Sequence, residues 1–163
     1  MSEKQTSDNY LNIINIYLKR RVKGNMSKTA IRILIADDEH IMLTLLAAMI
    51  RREGYQNVEL AKNGHEALRK FLVQKPQIVF LDIEMPELDG LETLRAIREF
   101  GITTQVVMVS ATATAERVGA AREGGASGFI VKPVSQKRIS DAIQSCLKLG
   151  AKNEGAIELF VLP

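Results

Sequence analysis

From residue 31 onward the chain alternates between two kinds of hydrophobic pattern. Short runs of β-branched and other apolar residues occur at 31–36 (IRILIA), 57–61 (NVELA), 78–81 (IVFL), 105–109 (QVVMV) and 128–131 (GFIV). Between and after them lie amphipathic stretches of helical length at 40–53, 64–74, 90–100, 114–123 and 135–148. In HEALRKFL, Ala67, Leu68, Phe71 and Leu72 share one helical face, and DGLETLRAIREF repeats the arrangement with Leu91, Leu94, Ile97 and Phe100. Gly54, Pro76 and Gly101 fall at element boundaries, where helix stops and chain reversals belong. Apolar strands regularly separated by helices predict an α/β domain: a parallel sheet covered by helices on both faces.

Ligands of such sheets bind beyond the carboxyl ends of the strands, so the residues just past each run are the informative ones. The first run ends in Asp37, Asp38 and Glu39. The third ends in Asp82 within LDIEMPELDG, the fourth in Ser110 within MVSA, and the fifth in Lys132-Pro133 within FIVKP. Successive carboxylates repel, and burying one unpaired is costly. Taken singly, each of these residues reads as simply solvated, the acidic ones as caps or first-turn residues of a helix. Taken together, at the ends of four strands of one sheet, three aspartates, a hydroxyl and a lysine form a charged cluster. Hard cations suit oxygen ligands of this kind, and Mg2+ characteristically combines one or two carboxylates with waters and phosphate oxygens. A divalent ion would make the acidic run tolerable.

Composition narrows the field further. The 163 residues suffice for one domain with a proper core. A single cysteine, Cys146, excludes an internal disulfide and fits a reducing, cytoplasmic setting. No apolar run reaches the length of a membrane span. The net charge of +3 is carried by residues 1–25, leaving the remainder neutral, so the basic pI does not describe a nucleic-acid-binding surface on the fold.

The segments ILIADDEH, AKNGHEAL, FLDIEMPELDGLETL, VVMVSA and GASGFIVKP resemble the receiver domain of two-component response regulators. The resemblance spans residues 29–148 and includes every predicted strand. It implies a flavodoxin-like, doubly wound (βα)5 fold with a five-stranded parallel sheet of order 2-1-3-4-5. The receiver domain would occupy 28–149, after an extension at 1–27 and before a tail at 150–163. The same resemblance makes Asp82 the phosphoryl acceptor. It places Mg2+ on Asp37, Asp38, Asp82 and the backbone carbonyl of Glu84. Ser110 becomes the switch hydroxyl, Lys132 the site's lysine, Pro133 the second residue of a cis peptide bond, and Phe129 the aromatic switch position. A carboxylate attacking a phosphoryl donor approaches a group that is already negative, so a cation and a lysine are the help that reaction needs. The implied activity is a stand-alone, cytoplasmic signalling protein rather than an enzyme, limited to its own phosphorylation and dephosphorylation. A sensor histidine kinase or histidine phosphotransfer protein would supply the phosphoryl group. An output protein would dock on the fourth helix, fifth strand and fifth helix, without direct contact to nucleic acid, and a homodimer stays open. Ser110 is expected to move toward the phosphoryl group and free space for Phe129 to rotate inward.

Several residues admit two readings. The Glu84 side chain either repels attacking hydroxide or simply faces solvent. His40 and His65, at helix starts without partners at metal-binding spacing, read as solvated, and Cys146 as packed. Residues 9–22 (NYLNIINIYLKRRV) form an apolar helical stripe: an accessory helix, a surface-binding helix, or sequence preceding a true start at Met26. Two other functional classes draw on the same residues and fit them less well. A phosphohydrolase using an aspartyl phosphate would want an aspartate where Glu84 stands, and a flavodoxin-like cofactor binder would want a Ser/Thr/Gly loop where Asp37–Glu39 stand.

Overall fold

The computed structural model describes residues 27–100, 103–152 and 161–162. After a single turn of 3-10 helix at Lys28–Ala30, strands and helices alternate: β1 (Arg32–Ala36), α1 (His40–Arg52), β2 (Asn57–Ala61), α2 (Gly64–Gln74), β3 (Ile78–Asp82), α3 (Gly90–Glu99), β4 (Gln105–Ser110), α4 (Ala115–Glu123), β5 (Gly128–Val131), α5 (Gln136–Lys152) and β6 (Val161–Leu162). The sheet is parallel throughout, in the order β2-β1-β3-β4-β5-β6. The five predicted strands take the predicted order 2-1-3-4-5. The sixth, two residues long, is an addition: it extends the sheet beside β5, pairing Val161 with Phe129 and Leu162 with Ile130.

Period-two alternation within each strand explains the two-sided core. Along β1, Ile33 and Ile35 face α1 and α5, joining Leu46, Ile50, Ile139 and Ile143, while Leu34 and Ala36 join Phe71, Leu94 and Ile97 beneath α2 and α3. Every residue of β3 is buried, as a central strand covered on both faces requires. Helix starts are chemically marked. Asn63 and Thr114 cap α2 and α4 through their side chains, and Asp89 with Glu92 closes a capping box at α3. α5 runs to Lys152, four residues past the expected end at 148. The apolar stripe at 9–22 and the possible start at Met26 lie outside the described residues, as do Gly101 and most of the 150–163 tail.

Candidate functional site

Strand register alone brings the candidate residues together. Ala36 pairs with Leu81, so Asp37 follows β1 alongside Asp82 at the end of β3. Ser110 pairs with Val131, so Lys132 follows β5 directly beside it, and its backbone N–H donates to the Ser110 carbonyl at 2.8 Å. This edge is the topological switch point: the chain leaves β1 for β2 on one side and returns to β3 on the other.

The acidic run after β1 is divided by the fold. Asp37 is fully buried, whereas Asp38 and Glu39 are exposed. The buried carboxylate is fully engaged. Its Oδ1 accepts from the Glu39 N–H at 2.9 Å, and its Oδ2 accepts from Lys132 Nζ at 2.9 Å. Asp82 is 2% exposed, and its Oδ1 lies 3.3 Å from the same Lys132 Nζ. That contact is an ion pair without hydrogen-bond direction, and Oδ1 is a buried side-chain oxygen with no donor aimed at it. Lys132 thus bridges two buried aspartates from a position only 14% exposed.

Burial, the neighbouring Asp37 charge and, more weakly, Asp38 push the Asp82 carboxyl up from the ordinary 3.8 to about 6, against the pull of Lys132. At neutral pH it is mainly ionised. Burial alone would lower the Lys132 ammonium, but its bond to Asp37 and the charges of Asp82 and Asp37 outweigh that and hold it above its usual value. Carboxylate oxygens of Asp37, Asp38 and Asp82 all lie within 4.8 Å of one another. Three acids face one ammonium, one buried acid oxygen lacks a donor, and the donor set is all oxygen. These features suit a hard divalent cation.

The hydroxyl side is arranged differently. Ser110 is fully buried, but its Oγ donates to the Thr112 carbonyl at 2.9 Å and accepts from the Thr112 N–H at 3.1 Å. Phe129 is fully buried in the core that also holds Ala121, Ala126 and Met108. The ring is therefore already inside while Ser110 is still bonded to Thr112, which differs from the expectation that movement of Ser110 first frees the space for it. The peptide bond between Lys132 and Pro133 is cis, as expected. His40 and His65 are exposed, and Cys146 is packed, its thiol pushed up by burial to about 12.

Further residues shape the site. The Glu84 carboxylate accepts from Arg117 Nη1 at 2.6 Å, so it neither stands alone nor merely faces water. Arg138 Nη1 donates to the carbonyls of Val131 at 3.0 Å and Pro133 at 3.2 Å, bracing the turn that carries Lys132. Gly90 lies against the end of β3: a Cβ there would sit 2.0 Å from the Asp82 carbonyl oxygen. At Gly64 a Cβ would meet the Leu88 carbonyl and the Thr93 hydroxyl, each at 2.5 Å. The two glycines clamp the β3–α3 loop between α2 and α3. A cation in the first turn of α4 opposes the helix dipole, and that local anomaly is the one sequence clue to Arg117.

A doubly wound α/β domain with an acidic pocket and one lysine at its switch point is the architecture of a receiver-type signalling module. The sequence pattern of the response regulator receiver domain matches residues 33–144, and the chain belongs to that family. It is 38% identical over 118 residues to chemotaxis protein CheY of Listeria monocytogenes, covering 72% of this chain and 99% of that protein. CheY of Bacillus subtilis is 36% identical over 116 residues, covering 71% and 97%. Among solved structures, the Borrelia burgdorferi CheX–CheY–BeF3–Mg+2 complex matches with a TM-score of 0.69 at 32% identity, covering 72% of this chain and 89% of that one. A CheY-like receiver domain from Methanospirillum hungatei gives 0.72 at 28% identity, covering 76% and 98%. The chain is thus a chemotaxis-regulator-like receiver, a signalling protein rather than a conventional enzyme. Among the described residues no helix is long and apolar enough to cross a membrane.

Proposed function

We propose that this receiver takes a phosphoryl group onto Asp82 from a phosphohistidine donor and signals through protein contacts that change as a result. The observation that carries the reading is the meeting of the Asp37, Asp38 and Asp82 carboxylates with the bridging Lys132. Asp82 is the acceptor because its Oδ1 lacks a hydrogen-bond donor at the strand end, while Asp37 spends both oxygens on Lys132 and a backbone amide. An Asp82 oxygen attacks phosphorus, the donor's P–N bond breaks, and the imidazole nitrogen leaves with the electron pair. Lys132 stays protonated and faces the charge that grows on the phosphoryl oxygens. Asp37, Asp38, Asp82 and the Glu84 carbonyl would hold Mg2+, which would supply charge neutralisation between acceptor and donor. A relative at 32% identity has been solved with both BeF3 and Mg+2, which supports this choice of cation.

The new dianion then competes for the Ser110 hydroxyl, drawing it from Thr112 toward Asp82. The loop 111–114 and the start of α4 follow, and the surface of α4, β5 and α5 changes for an output partner. The kinase or phosphotransfer donor and the output partner belong to this proposal as classes. To test it, the protein is incubated with Mg2+ and acetyl phosphate and its intact mass followed. A gain of one phosphoryl group, absent without Mg2+ and absent in Asp82→Asn, is expected. Equal modification of Asp82→Asn would refute the assignment. Slow, single-event modification is expected too; steady release of phosphate from many phosphomonoesters would favour a hydrolase.

A further inference from the structure

The Glu84–Arg117 ion pair stands outside the carboxylate–lysine cluster, and the acceptor chemistry makes no use of it. Glu84 follows Asp82 by two residues on the β3–α3 loop, and Arg117 lies in the first turn of α4, seven residues after Ser110. The pair therefore ties the acceptor's strand to the helix that follows the hydroxyl's strand. Both side chains are partly open to solvent, at 45% for Glu84 and 33% for Arg117. The helix dipole disfavours a cation at that position, so Arg117 is held there by Glu84 against a local cost. The segment around it is lightly anchored: residues 111–116 are exposed.

The cluster presents three carboxylates against one ammonium, and every phosphoryl donor is an anion. We infer that Glu84 and Arg117 form a charge filter for the incoming donor, Arg117 attracting the anion and Glu84 holding that attraction in check by pairing with it. The inference rests on Asp82 being the acceptor. Arg117 is then a positioning residue for the donor, and Glu84 acts through it. The filter predicts opposite signs for the two members, which a purely structural tether would not give. Removing the carboxylate releases the guanidinium and strengthens attraction, whereas removing the guanidinium leaves an unpaired carboxylate to repel the incoming anion, even with the charges of the pocket offset by Mg2+.

The test is the initial rate of phosphorylation by acetyl phosphate, with saturating Mg2+, in the full chain carrying Glu84→Gln, Arg117→Gln or the exchange Glu84→Arg with Arg117→Glu. At low ionic strength Glu84→Gln should be faster and Arg117→Gln slower than wild type, each by about two- to five-fold, the range set by partly exposed ion pairs. The exchange variant should return toward the wild-type rate. All differences should shrink at about 1 M salt, where screening acts within about 3 Å. Single variants that move in the same direction, or not at all, would overturn the inference while leaving the acceptor assignment intact. A wild-type chain that is not modified under these conditions would overturn both. Both side chains are partly exposed, and thermal melts of the variants confirm that folded proteins are being compared.

Discussion

Asp82 ends a strand in which every residue is buried, and Asp37 follows one whose residues Ile33 to Ala36 are all buried. α4, which follows Ser110, buries Ala121 alone among its residues. The charged half of the pocket is thus fixed by register and by bonds to Lys132. The hydroxyl half hangs on a short helix whose neighbouring loop is exposed. Segments with few buried contacts open and shift at the lowest free-energy cost. A phosphoryl group added at Asp82, as proposed, would meet rigid structure toward β1 and compliant structure toward α4, so the proposed response falls on α4. Under the proposed function, this contrast would let one molecule combine a preorganised reaction site with a movable surface.

The largest effect should come from the rigid half. Lys132→Gln removes the ammonium shared by two buried acids. Phosphorylation by acetyl phosphate should slow by about 100-fold or more, the scale of losing one preorganised electrostatic contact. A loss under about five-fold would show that the lysine is a structural bridge and that the cation alone carries the charge balance.

The architecture was legible because it rests on local periodicity: continuously apolar strands and amphipathic helices predict a parallel, doubly covered sheet wherever they alternate. The placing of Asp37, Asp82, Ser110 and Lys132 along one edge of the sheet was legible for the same reason, since each residue ends a strand or directly follows one. What could not be read is how the acids after β1 are divided. Burial of Asp37 depends on Lys132, 95 residues away, and nothing local separates it from Asp38. The partners of Arg117 and Arg138 depend likewise on tertiary contacts, which periodicity does not encode. Phe129 reads as an aromatic strand residue in either rotamer, and its full burial is settled by tertiary packing in the core beneath α2 and α3. β6 escaped because a two-residue pairing leaves too short a pattern to distinguish from tail.

The next effect concerns pH. Burial and the Asp37 charge raise the folded-state value of Asp82 to about 6, above its ordinary 3.8. The folded protein therefore holds that proton more readily than the unfolded chain, and the stability it gains is complete below about pH 4 and is lost as pH rises through about 6. In chelator-treated protein, Asp82→Asn should be more stable than wild type at pH 8, by up to about 3 kcal/mol. The advantage should vanish near pH 4. Denaturant melts across this range would expose the opposite sign, which would mean that Lys132 more than compensates the buried charge.

The smallest effect compares glycines on the two sides. Gly90→Ala drives a methyl group into the Asp82 backbone, with 2.0 Å to the carbonyl oxygen. It should cost about 1–3 kcal/mol. Gly119 in α4 has open space where a methyl group would sit, with nothing within 4 Å, and Gly119→Ala should stabilise the helix by about 1 kcal/mol. Gly119 lies two residues past Arg117 and meets nothing within 4 Å, so the same substitution, which leaves the Glu84–Arg117 pair in place, should change the rate of phosphorylation by less than about two-fold. Equal melting temperatures for the two alanine variants would erase the contrast between the halves.

The most direct measurement traps the acyl phosphate itself. Phosphorylated protein is reduced with borohydride, which converts a phosphorylated aspartate to homoserine, and its peptides are sequenced by mass spectrometry. The account predicts homoserine at position 82 and at no other aspartate. Homoserine at Asp37 or Asp38, with position 82 unaltered, would contradict it.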